Sequence, residues 1–449
     1  MAGRPLTGRL GLDPDADPYA TYQIGLNTPD LFDTSGNPLT ASSSTHTFSF
    51  PGFHAGSVQH RGGTVTFYDT DAPSSTEIDT IRSARVAGFR GISRVTLTPQ
   101  YSDFGVAIEQ ASGHRGPISI VDRTSPKHGI SFVAADSDVS VINLRSPAAP
   151  RDMAGVNLSN GMTVPDESGS AQVMVQGDVN RIVSTHGIHG AWVAGDAGII
   201  QSRSGGITND VTVNGRLRLL TARGGDISGD VMAGKGRTAG IRVIGGDITG
   251  DVDLDADFVG QITAIQRAGS GGNITGDITV DGRVGAIAAR GGDIVTASDS
   301  IHVGSVGRVI AIRRGGRGGS IQTYLDSDDS VGSVLALRGD GIEGTIEAGG
   351  RIGIIRSTDD IEATIEGGDD LGRVMSIGGS LTPDIDVDGR VGAILAIRGD
   401  INLQDEQIAA DDTIGSIRAV NGSIVGDADD STEEVQISGG NLWTIQRVR

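Results

Sequence analysis

Apolar residues in the second half of the chain return in a fixed phrase, not at a helical step. The phrase reads apolar, Gly, any residue, Ile or Val, any residue, then Ala or Ser. It begins at Val259, Val284, Val306, Val331, Ile352, Leu371, Val391 and Ile414. Its inner apolar step falls on Ile262, Ile287, Val309, Val334, Ile355, Val374, Ile394 and Ile417. The mean period is about 22 residues, within the range of solenoid repeats. A second phrase, Gly-Gly-Asp-Ile-x-Gly-Asp-Val at 224–231 and 245–252, interleaves with the first. Its leading apolar residue recurs at Ile227, Ile248, Ile274, Ile294, Ile321, Ile342, Ile361, Leu381, Ile401 and Ile424. Such β-branched runs, parted by Gly and Asp, predict short strands joined by turns. No run sustains the period of a helix.

Antiparallel hairpins would not return one residue type to one place every unit, whereas a coil rising one rung per unit would. The predicted fold class is therefore all-β: a parallel β-helix solenoid of about 22 residues per rung. Rungs lie about 4.8 Å apart, so ten make a segment on the order of 50 Å. The Ile/Val columns are the expected core, and the Ala/Ser column narrows it at a corner. The Gly column permits a bend, or a backbone approach that a Cβ would block. The apolar step 274, 278, 280, 284, 287 is not a strict six, which points to a right-handed coil with irregular corners.

Three regions follow. Residues 1–57 hold Pro and Asp clusters and an alternating 45–50, and read as a small N-terminal β cap over the first rung. Residues 58–197 hold strand candidates at 63–68, 94–97, 118–121, 130–133 and 139–142, and read as irregular rungs with longer loops. Residues 198–449 carry the regular repeats, and 442–445 still read as a rung. A bare last rung is a sheet edge that invites pairing, so either the chain is cut from a longer protein or its end meets another subunit, and self-association through terminal rungs or lateral faces is expected.

Only 4% of residues are aromatic, which suits a narrow aliphatic interior. Net charge is −20, from 46 Asp and 10 Glu against 34 Arg and 2 Lys. That balance argues against nucleic acid as a partner. No segment reaches the length of a membrane span, so no membrane insertion is expected. There is no cysteine and no charged start followed by an apolar stretch, hence no signal peptide in this sequence.

Candidate chemistry is sparse. Asp226, Asp247, Asp293, Asp360 and Asp400 form a column just before the second phrase's apolar residue. Calcium would neutralise it. Turn-forming Asp, partnered by water and by Arg223, Arg290, Arg338 and Arg398 upstream, explains it without metal. The calcium nonapeptide is absent, and the Asp-x-Asp-x-Asp runs at 253–257 and 384–388 lack the closing Glu. Arg-Gly-Asp at 338–340 and 398–400 arises from the repeat by loss of one Gly. His186, His189 and Trp192 make the densest ligand-like group, suited to a metal or a sugar face. Carboxylate pairs for glycoside chemistry fall at corners where acidic turns are expected anyway, so an enzyme is not expected.

The repeats resemble the Gly/Asp-rich β-helix repeats of bacterial secreted and cell-surface proteins, including adhesin-like and filament-forming ones. That resemblance implies a non-enzymatic extracellular rod that spaces, adheres or self-assembles. No cofactor is expected, calcium being the one ion to consider. The alternative is a glycan-binding or glycan-cleaving β-helix of tailspike-like type, with its site within 58–197.

Overall fold

The computed structural model describes residues 130–144, 172–269, 271–314, 319–403 and 406–426, with further strand segments between 45 and 122 and between 436 and 447. It is an all-β parallel solenoid of about 13 turns, with about 21 residues per turn. At the strand spacing of about 4.8 Å, the stack is on the order of 60 Å long. Among the described residues, every regular element is a strand.

Three inward columns fill the core, each built by residues paired in register. The first phrase supplies one, unbroken from Ile182 through Ile200, Leu220, Ile241 and Ile262 to Ile417 and Ile445. The second phrase supplies another, from Ile188 through Ile207, Ile227 and Ile248 to Ile401 and Ile424. A third runs from Val173 through Val211, Val252, Ile301 and Ile346 to Ile408. Nearly all of these residues are fully buried. Each such Val or Ile contributes about 1.5–3 kcal/mol of burial energy, spread evenly along the rod.

The Gly column of the first phrase answers to close approach, not to an unusual turn. A Cβ on Gly353 would lie 2.2 Å from the carbonyl oxygen of Gly332, one turn below. Gly285, Gly307, Gly372 and Gly415 meet the same obstacle from the turn before each of them. The Ala/Ser column that follows is buried throughout. Its serines satisfy the corner: the Ser376 hydroxyl lies 2.6 Å from the Gly379 carbonyl.

At the N-terminal end the pairing changes. Thr45–Phe48, Ser57–His60, Gly63–Asp69 and Ile81–Ala87 pair antiparallel, the last two with Phe104–Gln110 and Arg94–Pro99. Those two then begin the parallel coil through Ile130–Ala135 and Ile118–Asp122. Of the expected cap at 1–57, residues 1–44 and 49–56 lie outside the described residues. At the far end, Gln436–Leu442 and Ile445–Arg447 add in parallel to Gln407–Ala419. Trp443 and Thr444 lie outside the described residues.

Candidate functional site

The His186–Trp192 group sits on one corner and the strand Ala191–Val193 after it. His186 is exposed on the corner, where its backbone N–H reaches the Ser184 hydroxyl at 3.4 Å. His189 is half-buried and bonds the Thr208 hydroxyl through Nδ1 at 2.8 Å. Burial holds its pKa below the usual imidazole value. Trp192 points outward, in register between Met174 and Thr212 on the turns either side. Among the described residues, no group of three or more His, Asp or Glu side chains is placed to hold a metal ion.

The Asp column resolves into a ladder along the rod. The Asp226 carboxylate accepts the backbone N–H of Asp247 at 2.8 Å, and Asp247 accepts that of Asn273 at 2.7 Å. Asn273 then serves Asp293, and Asp293 serves Ser320. Asp360 serves Ser380, the Ser380 hydroxyl serves Asp400, and Asp400 serves Ser423. A second ladder links Asp210, Asp230, Asp251 and Asp277. Asn and Ser hold rungs among the Asp, so the position demands an acceptor, not a charge. Here the partner differs from the one expected. Arg223, Arg290, Arg338 and Arg398 are exposed, and among the described residues the Arg–carboxylate ion pairs at corners are Asp196 with Arg216 and Asp370 with Arg390. The reason is geometric: strand N–H groups at a stacked corner point along the axis, toward the previous turn.

The strongest functional signal lies on the outer surface of the first-phrase strands. Beside the inward Ile/Val each turn there places one residue before it, one after it, and one at the corner beyond the Ala/Ser. Of these, Val183, Thr221, Thr263, Ala288 and Ile310 are buried, so the open part of the surface is chiefly the turns from Val334 on. From Arg181 to Val420 none of these positions is Asp or Glu, in a chain with 56 acidic residues. Their charges are Arg181, Arg203, Arg223, Arg242, Arg290, Arg308, Arg356, Arg373 and Arg418. The rest is mostly aliphatic. Toward the C-terminal end, Leu335, Ile354, Met375, Ile377, Leu395 and Ile397 form an open apolar zone, with Ile354 44% exposed. The Nε atoms of Arg181, Arg242 and Arg356 are buried on this surface without a hydrogen-bond partner.

The long strands Ile321–Ser327, Gly341–Ala348, Asp360–Gly367 and Leu381–Val387 present the opposite chemistry. They contain no Lys, Arg or His. Asp326, Glu347, Glu366 and Asp386 stack in register on their outer surface, headed by His302, whose Nδ1 lies 2.7 Å from Asp326. Tyr324, 41% exposed, donates its hydroxyl to Glu347. That bond, with the charges of Glu347, Asp326 and Glu366 around it, pushes the phenol pKa up to about 12. In these turns the first-phrase strands and these strands border one core from different sides, so the acid-free and base-free surfaces are separate.

The chain matches no family model, no curated protein and no solved structure. His186, His189 and Trp192 lie along one corner and the strand after it; the two reciprocal surfaces were not legible from sequence. Their signal was the absence of acids at outward phrase positions, which net charge averages away.

Proposed function

We propose that this chain is a non-enzymatic structural rod, working outside the cell or at its surface, that spaces or adheres by side-to-side association. The observation that carries this reading is the acid-free, apolar and Arg-bearing surface on a protein of net charge −20. A solvated face of such a chain has no reason to exclude carboxylates over so many turns. A face that docks has one, because a buried unpaired carboxylate is costly. Exposed contiguous apolar patches mark interaction surfaces in soluble proteins. The Gly/Asp-rich repeat, similar to that of secreted adhesin-like and filament-forming proteins, supports the same reading. Electron microscopy and sedimentation velocity on the purified chain test it, at low and high salt and with and without calcium. Bundled or laterally joined rods are expected at low salt. Single rods under every condition overturn it.

Glycan binding at the His186–Trp192 corner is the second reading, favoured by the outward, half-exposed Trp192 beside the polar pair His189 and Thr208. A glycan panel read with wild type and Trp192→Ala decides it; a flat response from the wild type removes it.

A further inference from the structure

We propose that the occupant of the acid-free surface is the base-free surface of a second copy of this chain. This rests on the side-to-side reading above and names the partner. Charge complementarity is the first argument. One surface excludes acids and carries Arg356 and Arg373; the other excludes bases and carries Glu347, Glu366 and Asp386. Pitch is the second. Both surfaces repeat at the same rise per turn, so side chains spaced by whole turns on one copy meet partners spaced by whole turns on the next. Among the described residues of this half, the exposed large apolar side chains Tyr324 and Ile354 lie one on each surface.

The competing arrangement pairs two acid-free surfaces. It would set arginines against arginines with no carboxylate between them, and like charges in an interface cost several kcal/mol. Size adds a constraint. A strand of six residues is about 20 Å wide, so each turn offers about 100 Å² of sheet. A stable interface needs about 800 Å² per partner, or roughly eight turns of overlap. The four base-free strands supply about 400 Å² of that, so the charge-matched contact is a small one that reaches this size only by extending over flanking turns, which carry Arg283 and His302. Because the two surfaces lie on different strands, each copy that docks leaves its other surface open. The contact is heterologous, so it builds a ring or a lateral array, not a two-fold dimer.

The test is a charge swap at exposed or part-exposed positions. One variant carries Glu347→Arg, Glu366→Arg and Asp386→Arg; the other carries Arg356→Glu, Arg373→Glu and Arg418→Glu. Circular dichroism and thermal melting confirm that each is folded. Sedimentation velocity should show that each variant alone associates about tenfold or more weakly than wild type, and that an equimolar mixture recovers association. The recovered contact is mapped by cysteine cross-linking between Ile354→Cys and Thr345→Cys copies, which carry the only thiols because the chain has no cysteine of its own. Wild-type assembly that neither variant disturbs, or a mixture no more associated than its components, overturns this docking while leaving the rod reading in place. A wild type that never associates overturns both. A monomeric wild type that binds phosphatidylglycerol vesicles, and loses them with the Arg variant, assigns the surface to an anionic membrane and overturns the second copy as occupant.

Discussion

The carboxylate of Asp226 accepts the backbone N–H of Asp247, one turn along the rod, at 2.8 Å. Each corner residue thus closes the turn above it, and the chain of bonds continues wherever an Asx or Ser oxygen is present. Replacing Asp247 tests what the ladder needs. Asp247→Asn keeps the acceptor, as Asn273 does naturally, and should change stability by less than about 0.5 kcal/mol. Asp247→Ala leaves the Asn273 N–H without its partner and should cost about 1 kcal/mol. Denaturant melts of both, with calcium and with chelator, check this. If calcium held the column, the Asn variant would lose a calcium-dependent increment that the wild type shows.

Gly353→Ala should be far more damaging than its size suggests. The added methyl would stand 2.2 Å from a main-chain oxygen held in the ladder of the turn below, which no rotamer change relieves. Overpacking of this kind costs about 1–3 kcal/mol, and the backbone obstacle places it at the upper end. Gly269→Ala is the control for added bulk, because nothing lies within 4 Å of that Cβ. Its positive φ of 87° adds local strain alone, so a cost equal to that of Gly353→Ala would remove the close-approach explanation.

The repeat makes much of the fold legible from the sequence alone. The columns through Ile227 and Ile262 are paired in the register that spacing alone assigns, and the Gly column sits where a close approach was expected. The third column, through Val252 and Ile278, was not separated, because its strands merge with acidic runs such as Asp253, Asp255 and Asp257 that read as turn-like composition. The ladder partner of Asp226 was missed because sequence proximity favoured Arg223, while the amide that it meets lies a full turn away. The reciprocal surfaces were missed for a related reason. Which residues point outward follows only after each column's facing is known, and a net charge carries no direction.

Ser376→Ala probes the small buried column. Ala already fills this position on the next two turns, at Ala396 and Ala419, so no cavity results. What is lost is the hydroxyl between the carbonyls of Asp359 and Gly379, which also accepts the Gly379 N–H at 3.1 Å. A loss of about 1 kcal/mol in a denaturant melt is expected. A neutral result would mean that water takes over the corner.

Tyr324 reports the potential of the base-free surface directly. Its phenol pKa stands at about 12, against the usual 10, chiefly because its hydroxyl bonds Glu347, with the neighbouring carboxylates adding to it. The folded state therefore favours the protonated phenol. That contribution is fully present below about pH 10 and is lost as pH rises through about 12, and solvent exposure keeps its size small. The difference in ultraviolet absorbance between wild type and Tyr324→Phe isolates this residue from the other tyrosines. Glu347→Gln should move the midpoint back toward the usual tyrosine value. Glu366→Gln should move it less, since its charge acts only through space. High salt should lower the wild-type midpoint part of the way, leaving the share due to the hydrogen bond. An ordinary tyrosine midpoint in the wild type would mean that the bond to Glu347 is not held and that the surrounding carboxylates are screened. The surface would then lack the potential that docking an arginine-bearing face requires.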